Sequence, residues 1–191
     1  MLMHKVIVAF LFGLFIQNEA WSNQLPNRTT EANSEIHLES VLSSKPFTTT
    51  GEATFSILFW DLYQSHLKTT SGTYPISFET DQLIFHIDYL ADISREDLIM
   101  RTVEQWQHQN VSKNTYNQYI ETLQNMWPNI RKGDSLAILV KKERSNFYFN
   151  ERYIGSINDD AFGQLFIDIW LDKSTSQPNL RAQLLGETLN D

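Results

Sequence analysis

Residues 146–186, NFYFNERYIGSINDDAFGQLFIDIWLDKSTSQPNLRAQLLG, decide the fold. FYF and RYIGSI are two short β-type runs, and Asn150-Glu151 supplies the turn between them. Asn158 is placed to cap a helix, with Asp159 and Asp160 in its first turn, where the helix dipole favours carboxylates. Phe162, Phe166, Ile169 and Trp170 then recur at helical spacing and give that helix one buried face. A Thr/Ser/Pro break ends it, and LRAQLLG closes the block as a short helix.

Working upstream, the segment KGDSLAILV ends in a continuous apolar strand, and ERSN turns it back into FYFN. Ser112 starts a helix whose stripe is Tyr116, Tyr119, Ile120, Leu123, Met126 and Trp127, and Pro128 ends it. Ser94 starts another through the capping-box sequence SRED, with Ile99, Val103 and Trp106 on its buried face. Leu83, Phe85, Ile87 and Tyr89 alternate with Ile84, His86 and Asp88, which is a strand. KTTSGTYP reads as a turn segment. Ala53, Phe55, Ile57 and Phe59 alternate with Thr54 and Ser56. Leu58, Trp60 and Leu62 then make the second face apolar, so 53–67 reads as one long strand running into a doubly covered region. Residues 23 to 50 are polar, a flexible leader with one edge strand near EIHLESVL. The order β-β-α-α-β-β-β-α follows for the rest of the chain. It predicts an α+β domain, a large antiparallel sheet with helices packed on one face.

The first residues read as an export signal: Lys5, the apolar run VIVAFLFGLFI, and Ala20-Trp21-Ser22 as a small-x-small cleavage site. The apolar run is too short to span a bilayer. The expected division is therefore a signal peptide over 1–22, the leader and edge strand over 23–50, and one domain over 51–191. The mature chain would start near Asn23 in the periplasm or outside the cell, with no stable membrane insertion once the signal is cleaved. Its ~170 residues suffice for one core. There is no cysteine, so disulfides, thiolate metal sites and thiol catalysis are excluded. Stability rests on packing, which twelve Phe, seven Tyr and five Trp can supply. A formal charge of -8 argues against nucleic acid and against anionic membrane surfaces.

No GxSxG elbow, GxGxxG turn or Walker-type loop is present, so neither a hydrolase of the α/β class nor a nucleotide cofactor has support. His86 and Asp88 share a strand face, but two ligands make too small a set for a metal, and a polar cross-strand pair is the simpler reading. Arg101 and Glu104 sit at i, i+3, opposite the buried stripe, as a surface ion pair. Arg181 is spaced to cap a carbonyl, to reach a carboxylate, or to stay at the surface. Asp61 falls by alternation on the Phe55–Ile57–Phe59 face, beside Trp60 and Tyr63. A carboxylate there is either a pocket group or a residue at a wet rim.

Several motifs recur in order: Phe59-Trp60-Asp61-Leu62-Tyr63, LIFHIDY, Trp127-Pro128 with Gly133-Asp134 leading into SLAILV, FYFNERYIG, and FGQLFIDIWL closed by Pro178 and LRAQLLG. Together, over most of 51–186, they make the chain resemble the exported bacterial branch of the chalcone isomerase-like family. The resemblance implies an open-faced sandwich with a ligand cleft between sheet and helices. It also implies either a cofactor-free isomerase or a non-catalytic relative that binds fatty acids. The plant enzyme's Arg, Thr, Tyr and Asn do not carry over. No Arg lies between Arg28 and Arg95, Leu58 falls at the Thr position when Tyr63 is matched to the strand Tyr, and SREDLIMRTVEQW supplies no Tyr…Asn pair. Without a cation and a polarising hydroxyl, ring closure loses its electrostatic assistance. The resemblance therefore implies no catalytic residues and no cofactor, but an exported domain binding a small apolar ligand, with Trp60, Asp61 and Tyr63 as ligand-binding candidates. An isomerase or lyase with another polar set, and a structural protein of the cell envelope with a filled cleft, stay open beside it.

Overall fold

The computed structural model describes residues 37–187, so the export signal and most of the leader lie outside the described residues. Six strands form one sheet in the order β1-β2-β3-β4-β5-β6, each antiparallel to its neighbours. They are β1 (Thr48–Ile57), β2 (Trp60–Thr69), β3 (Leu83–Tyr89), β4 (Ser135–Lys141), β5 (Arg144–Phe149) and β6 (Arg152–Ile157). The described helices are α1 (Leu38–Ser44), α2 (Arg95–His108), α3 (Lys113–Met126), α4 (Asp160–Leu171) and α5 (Pro178–Leu184). The expected α+β sheet is thus present, with α2 and α3 inserted between β3 and β4.

Local chemistry accounts for most element ends. Ser94 and Ser112 cap α2 and α3 by accepting the backbone N–H of Asp97 and Thr115, and Trp127, just before Pro128, ends α3. Asn150 and Glu151 both take positive φ, as a two-residue hairpin turn demands. The cap of α4 is Asp159, one residue later than the sequence suggested, because its carboxylate accepts the Ala161 N–H at 2.9 Å.

Two expectations fail. The 53–67 run is not one strand but the β1–β2 hairpin, turning at Leu58-Phe59 with Leu58 at φ 57°. The turn carries no Gly, Asn, Asp or Pro, so period-2 alternation runs straight through it. The residues EIHLESVL supply no edge strand within the described chain. Leu38, Val41 and Leu42 follow helical spacing, and Leu38–Ser44 is α1.

The helical layer of α2 to α5 covers one face of the sheet. There Leu67, Phe85, Ile138 and Phe147 meet Trp106, Leu123, Trp127, Phe162 and Phe166 in the main core. On the reverse face α1 covers a smaller cluster, setting Leu38 and Val41 on Ile84, Leu139 and Tyr148. Gly163 brings α4 against the β4–β5 hairpin. A Cβ there would run into Val140 and lie 3.0 Å from the Ser145 hydroxyl oxygen.

Candidate functional site

A cavity of about 520 Å³ lies between the sheet and the helical layer, toward the β1–β3 side. Phe85 and Ile87 of β3 and Ile138 of β4 form its floor, while Leu98 and Thr102 of α2 and Phe166 and Trp170 of α4 form its roof. Phe55, Ile57, Leu62 and Tyr63 of the first hairpin make one wall. These residues converge because alternation aims every second side chain of each strand at one face. The helical stripes supply the opposite side.

The uncharged polar groups of the lining are the phenols of Tyr63 and Tyr89, the indoles of Trp127 and Trp170, and the side chains of Thr102, Gln105, Ser176 and Gln177. Tyr63 stacks on Phe55 at 5.1 Å and lies 6.1 Å from Tyr89, its partner across β2 and β3. Trp170 donates its indole N–H to the Tyr63 hydroxyl at 3.1 Å, and its ring lies 4.5 Å from Phe85. Burial pushes the Tyr63 hydroxyl up to about 12, against a smaller opposing effect of the Trp170 hydrogen bond. Burial, reinforced by Tyr63, pushes Tyr89 up as well. Both phenols are therefore neutral donors at physiological pH. The Trp127 indole N–H, in the same lining, is buried with no hydrogen-bond partner among the described residues. Arg101 lines the rim with Asp92, Asp97 and Glu104, and its guanidinium donates to Glu104 at 2.8 Å. Among the described residues it is the single Lys or Arg of the lining.

Of the three candidates read from the sequence, Tyr63 lines the cavity. Trp60 and Asp61 do not: both are exposed at the hairpin tip. Asp61 pairs with Ser56, not with the Phe55 row, and accepts the Ser56 hydroxyl proton at 2.6 Å. The turn at 58–59 and the register shift after Phe55 reverse the parity that alternation implied. Asp61 thus sits at a wet rim. Trp60 shares the face of Ile57, opposite which it pairs, without closing the cavity. Tyr89, Trp127 and Arg101 were missed as site residues. The alternation of LIFHIDY carried a signal for Tyr89, since its row with Phe85 and Ile87 faces the core. Nothing local marked Trp127 as unpaired.

The other polar clusters lie outside the cavity lining. His66 lies 3.2 Å from Glu52 and 3.3 Å from Asp88, with His86 3.8 Å from Asp88, on the reverse face of β1–β3. This is the cross-strand arrangement expected for His86 and Asp88, and among the described residues no three His, Asp or Glu side chains are arranged to hold a metal. Burial holds His86 below its usual range, partly offset by Asp88. Arg181 donates to the Leu171 carbonyl at 2.8 Å and so caps α4. No described helix is long and apolar enough to cross a membrane.

A family model described as chalcone isomerase-like matches residues 18–186. No curated protein sequence matches the chain. Among solved structures it is similar to a fatty-acid binding protein of Arabidopsis thaliana, with a TM-score of 0.55 at 8% identity, over 73% of this chain and 86% of that one. At that identity the likeness is one of fold.

Proposed function

This chain belongs to the chalcone isomerase-like family, and from that premise we propose that it is an exported, non-catalytic binding protein for one small apolar ligand of fatty-acid type. The observation that carries the reading is the cavity itself. Its ~520 Å³ fall within the range of small-molecule sites, and its walls are aromatic and aliphatic with a few convergent donors. Tyr63 and Tyr89 are neutral at pH 7, as phenols ordinarily are, and burial makes ionisation harder still. Inside, the apolar part of the ligand packs on Phe85, Ile87, Ile138 and Trp170. A buried carboxylate needs a partner, and Arg101, the single lining cation among the described residues, stands at the rim. An ionised head therefore lies at the mouth beside Arg101, whereas a neutral carbonyl or hydroxyl is received by the phenols. The fatty-acid binding named for the Arabidopsis neighbour agrees with this class of ligand. Export is supported by Lys5, the apolar run and Ala20-Trp21-Ser22. Amino-terminal sequencing of the protein from its host should begin near Asn23; recovery of soluble chain with Met1 retained in the cytoplasm contradicts export.

Native mass spectrometry of protein purified from its own host tests the binding. A co-purifying apolar molecule is expected, and the stripped chain should take up one palmitate. Ile87→Trp, which fills the floor, should prevent uptake while leaving the fold intact. Absence of any 1:1 complex defeats the binding reading. Stereoselective flavanone formation by the purified protein defeats the non-catalytic one.

A further inference from the structure

We propose that the tip of the β1–β2 hairpin docks the protein on a zwitterionic lipid surface. Ile57, Leu58, Phe59 and Trp60 are consecutive large apolar residues with relative exposures of 53%, 87%, 98% and 74%. A cluster of this kind marks an interaction site, unlike the single exposed apolar residues scattered elsewhere. The turn chemistry points the same way. Leu58 stands at φ 57°, where a two-residue hairpin favours Gly or Asn. The other two-residue hairpin turns put the polar Glu143, Asn150 and Glu151 at positive φ, whereas this one holds a bulky apolar side chain there in water, which points to a use outside the fold.

The geometry of the tip selects its occupant. The last residue of β2 paired with β3 is Tyr63, opposite Tyr89, and the chain of β3 leaves after the Leu90 N–H bonds to the Leu62 carbonyl. Beyond Leu62 the hairpin runs on alone to Phe59 at its tip, a reach of about 10 Å at strand rise. That reach matches the depth of a bilayer's interfacial layer, where Trp settles with its ring in the acyl boundary and its N–H at the headgroups. A second copy of the chain is the weaker candidate. Four residues on a narrow protrusion bury a few hundred Å², short of the ~800 Å² per partner in a standard stable interface. Charge selects the lipid. With a formal charge of -8, and Glu52 and Asp61 on the same hairpin, the protein is repelled by an anionic surface but not by a zwitterionic one.

Docking there has a consequence that rests on the apolar-ligand reading above. Ile57 and Leu62 belong both to the tip region and to the cavity lining. A tip seated in lipid therefore brings the cavity wall to the bilayer, and an apolar ligand passes between the two without crossing bulk water.

Tryptophan emission of the mature chain from Asn23, with no added ligand, tests the docking on phosphatidylcholine vesicles with and without brominated acyl chains. Trp106 and Trp127 are buried and Trp170 is half-buried, so Trp60 reports the tip. The expected result is a blue shift and quenching by the brominated lipid, both lost on adding Trp60→Phe. Leu58→Ser with Phe59→Ser should weaken the quenching by more than about tenfold, since two apolar side chains no longer enter lipid. Unquenched Trp60 emission in the presence of excess vesicles overturns the proposal. So does quenching confined to vesicles containing phosphatidylglycerol, and so does self-association that the same double variant abolishes while vesicles leave Trp60 unchanged. A chain that docks but takes up no palmitate defeats the ligand reading alone and leaves the docking intact.

Discussion

Replacing Tyr63 by Phe should destabilise the protein through Trp170, not through Tyr63 itself. The phenol ring stays stacked on Phe55, so the apolar contact survives. What disappears is the oxygen that accepts the Trp170 indole N–H at 3.1 Å. A buried donor left without a partner costs ~1–3 kcal/mol. Relief of the buried hydroxyl's own desolvation offsets part of that, leaving about 1–2 kcal/mol. At ~2–4 °C per kcal/mol for a chain of this size, Tm should fall by about 3–6 °C. Trp170→Phe removes the donor but also the larger ring between Phe85 and Phe166, and should cost about 2–3 kcal/mol. The double variant has neither an orphaned N–H nor an orphaned hydroxyl. It should therefore be less damaged than the sum of the two by about 1 kcal/mol. Urea unfolding of the four proteins, with unchanged m values, measures this coupling. An unaltered midpoint for Tyr63→Phe would refute the reasoning. So would a cycle additive to within ~0.3 kcal/mol, because the hydrogen bond would then have no energetic content.

Stability should also depend on alkaline pH. The Tyr63 hydroxyl is raised to about 12 in the folded chain, above its unfolded value near 10, so the folded state holds the proton more tightly. Its contribution is complete below about pH 10 and lost as pH climbs toward 12, so urea midpoints should hold steady up to pH ~9 and then fall, less steeply in Tyr63→Phe. Gly163→Ala gains ~1 kcal/mol of helix propensity but drives a methyl into Val140 and the Ser145 hydroxyl, so a net loss of about 1–2 kcal/mol is expected from chemical denaturation. Leu58→Gly should act in the opposite sense, raising stability by about 1 kcal/mol as the left-handed strain is relieved, and a calorimetric Tm that falls instead would show that the Leu58 side chain supports the fold.

The parts of this fold legible in the sequence are those where one local rule acts alone. Ser94 and Ser112 stand before periodic stripes and cap as expected. Trp106, Trp127 and Phe166 lie buried where their stripes placed them. Asn150-Glu151 turns between two short strands, with Asn150 a residue that takes positive φ readily. The Leu58-Phe59 turn was not legible, since Leu and Phe carry no turn preference and the alternation on either side is unbroken. That one omission displaced Asp61 onto the wrong face and put Trp60 in the list of binding candidates. Tyr63 entered the list through its strand face, and it does line the cavity. The shape of the cavity could not be read at all. It depends on which rows of β1 to β4 come into register and on how closely each helix approaches, and neither quantity is local.

Helix approach also explains why a cavity opens at this end of the sheet. At Gly163 the backbone of α4 meets Val140 and Ser145 with no Cβ between them. Trp170 lies seven residues further on, about 10 Å along the axis. There the helix is held off the sheet by an indole packed on Phe85 and tied to Tyr63. The helix thus meets the sheet through its backbone at one end and through an indole at the other. Flat rings fill the space at the tryptophan end incompletely, because their shapes are fixed and their rotamers few. The volume left over is consequently walled by rings and floored by the β3 and β4 side chains, which makes it apolar without any separate provision for a ligand. Its polarity is set by the props themselves: the hydroxyl that anchors Trp170 is one of the phenols facing the cavity. Packing and the lining of the cavity therefore use the same two residues, and on the proposed reading a substitution at Tyr63 or Trp170 should alter stability and ligand affinity together.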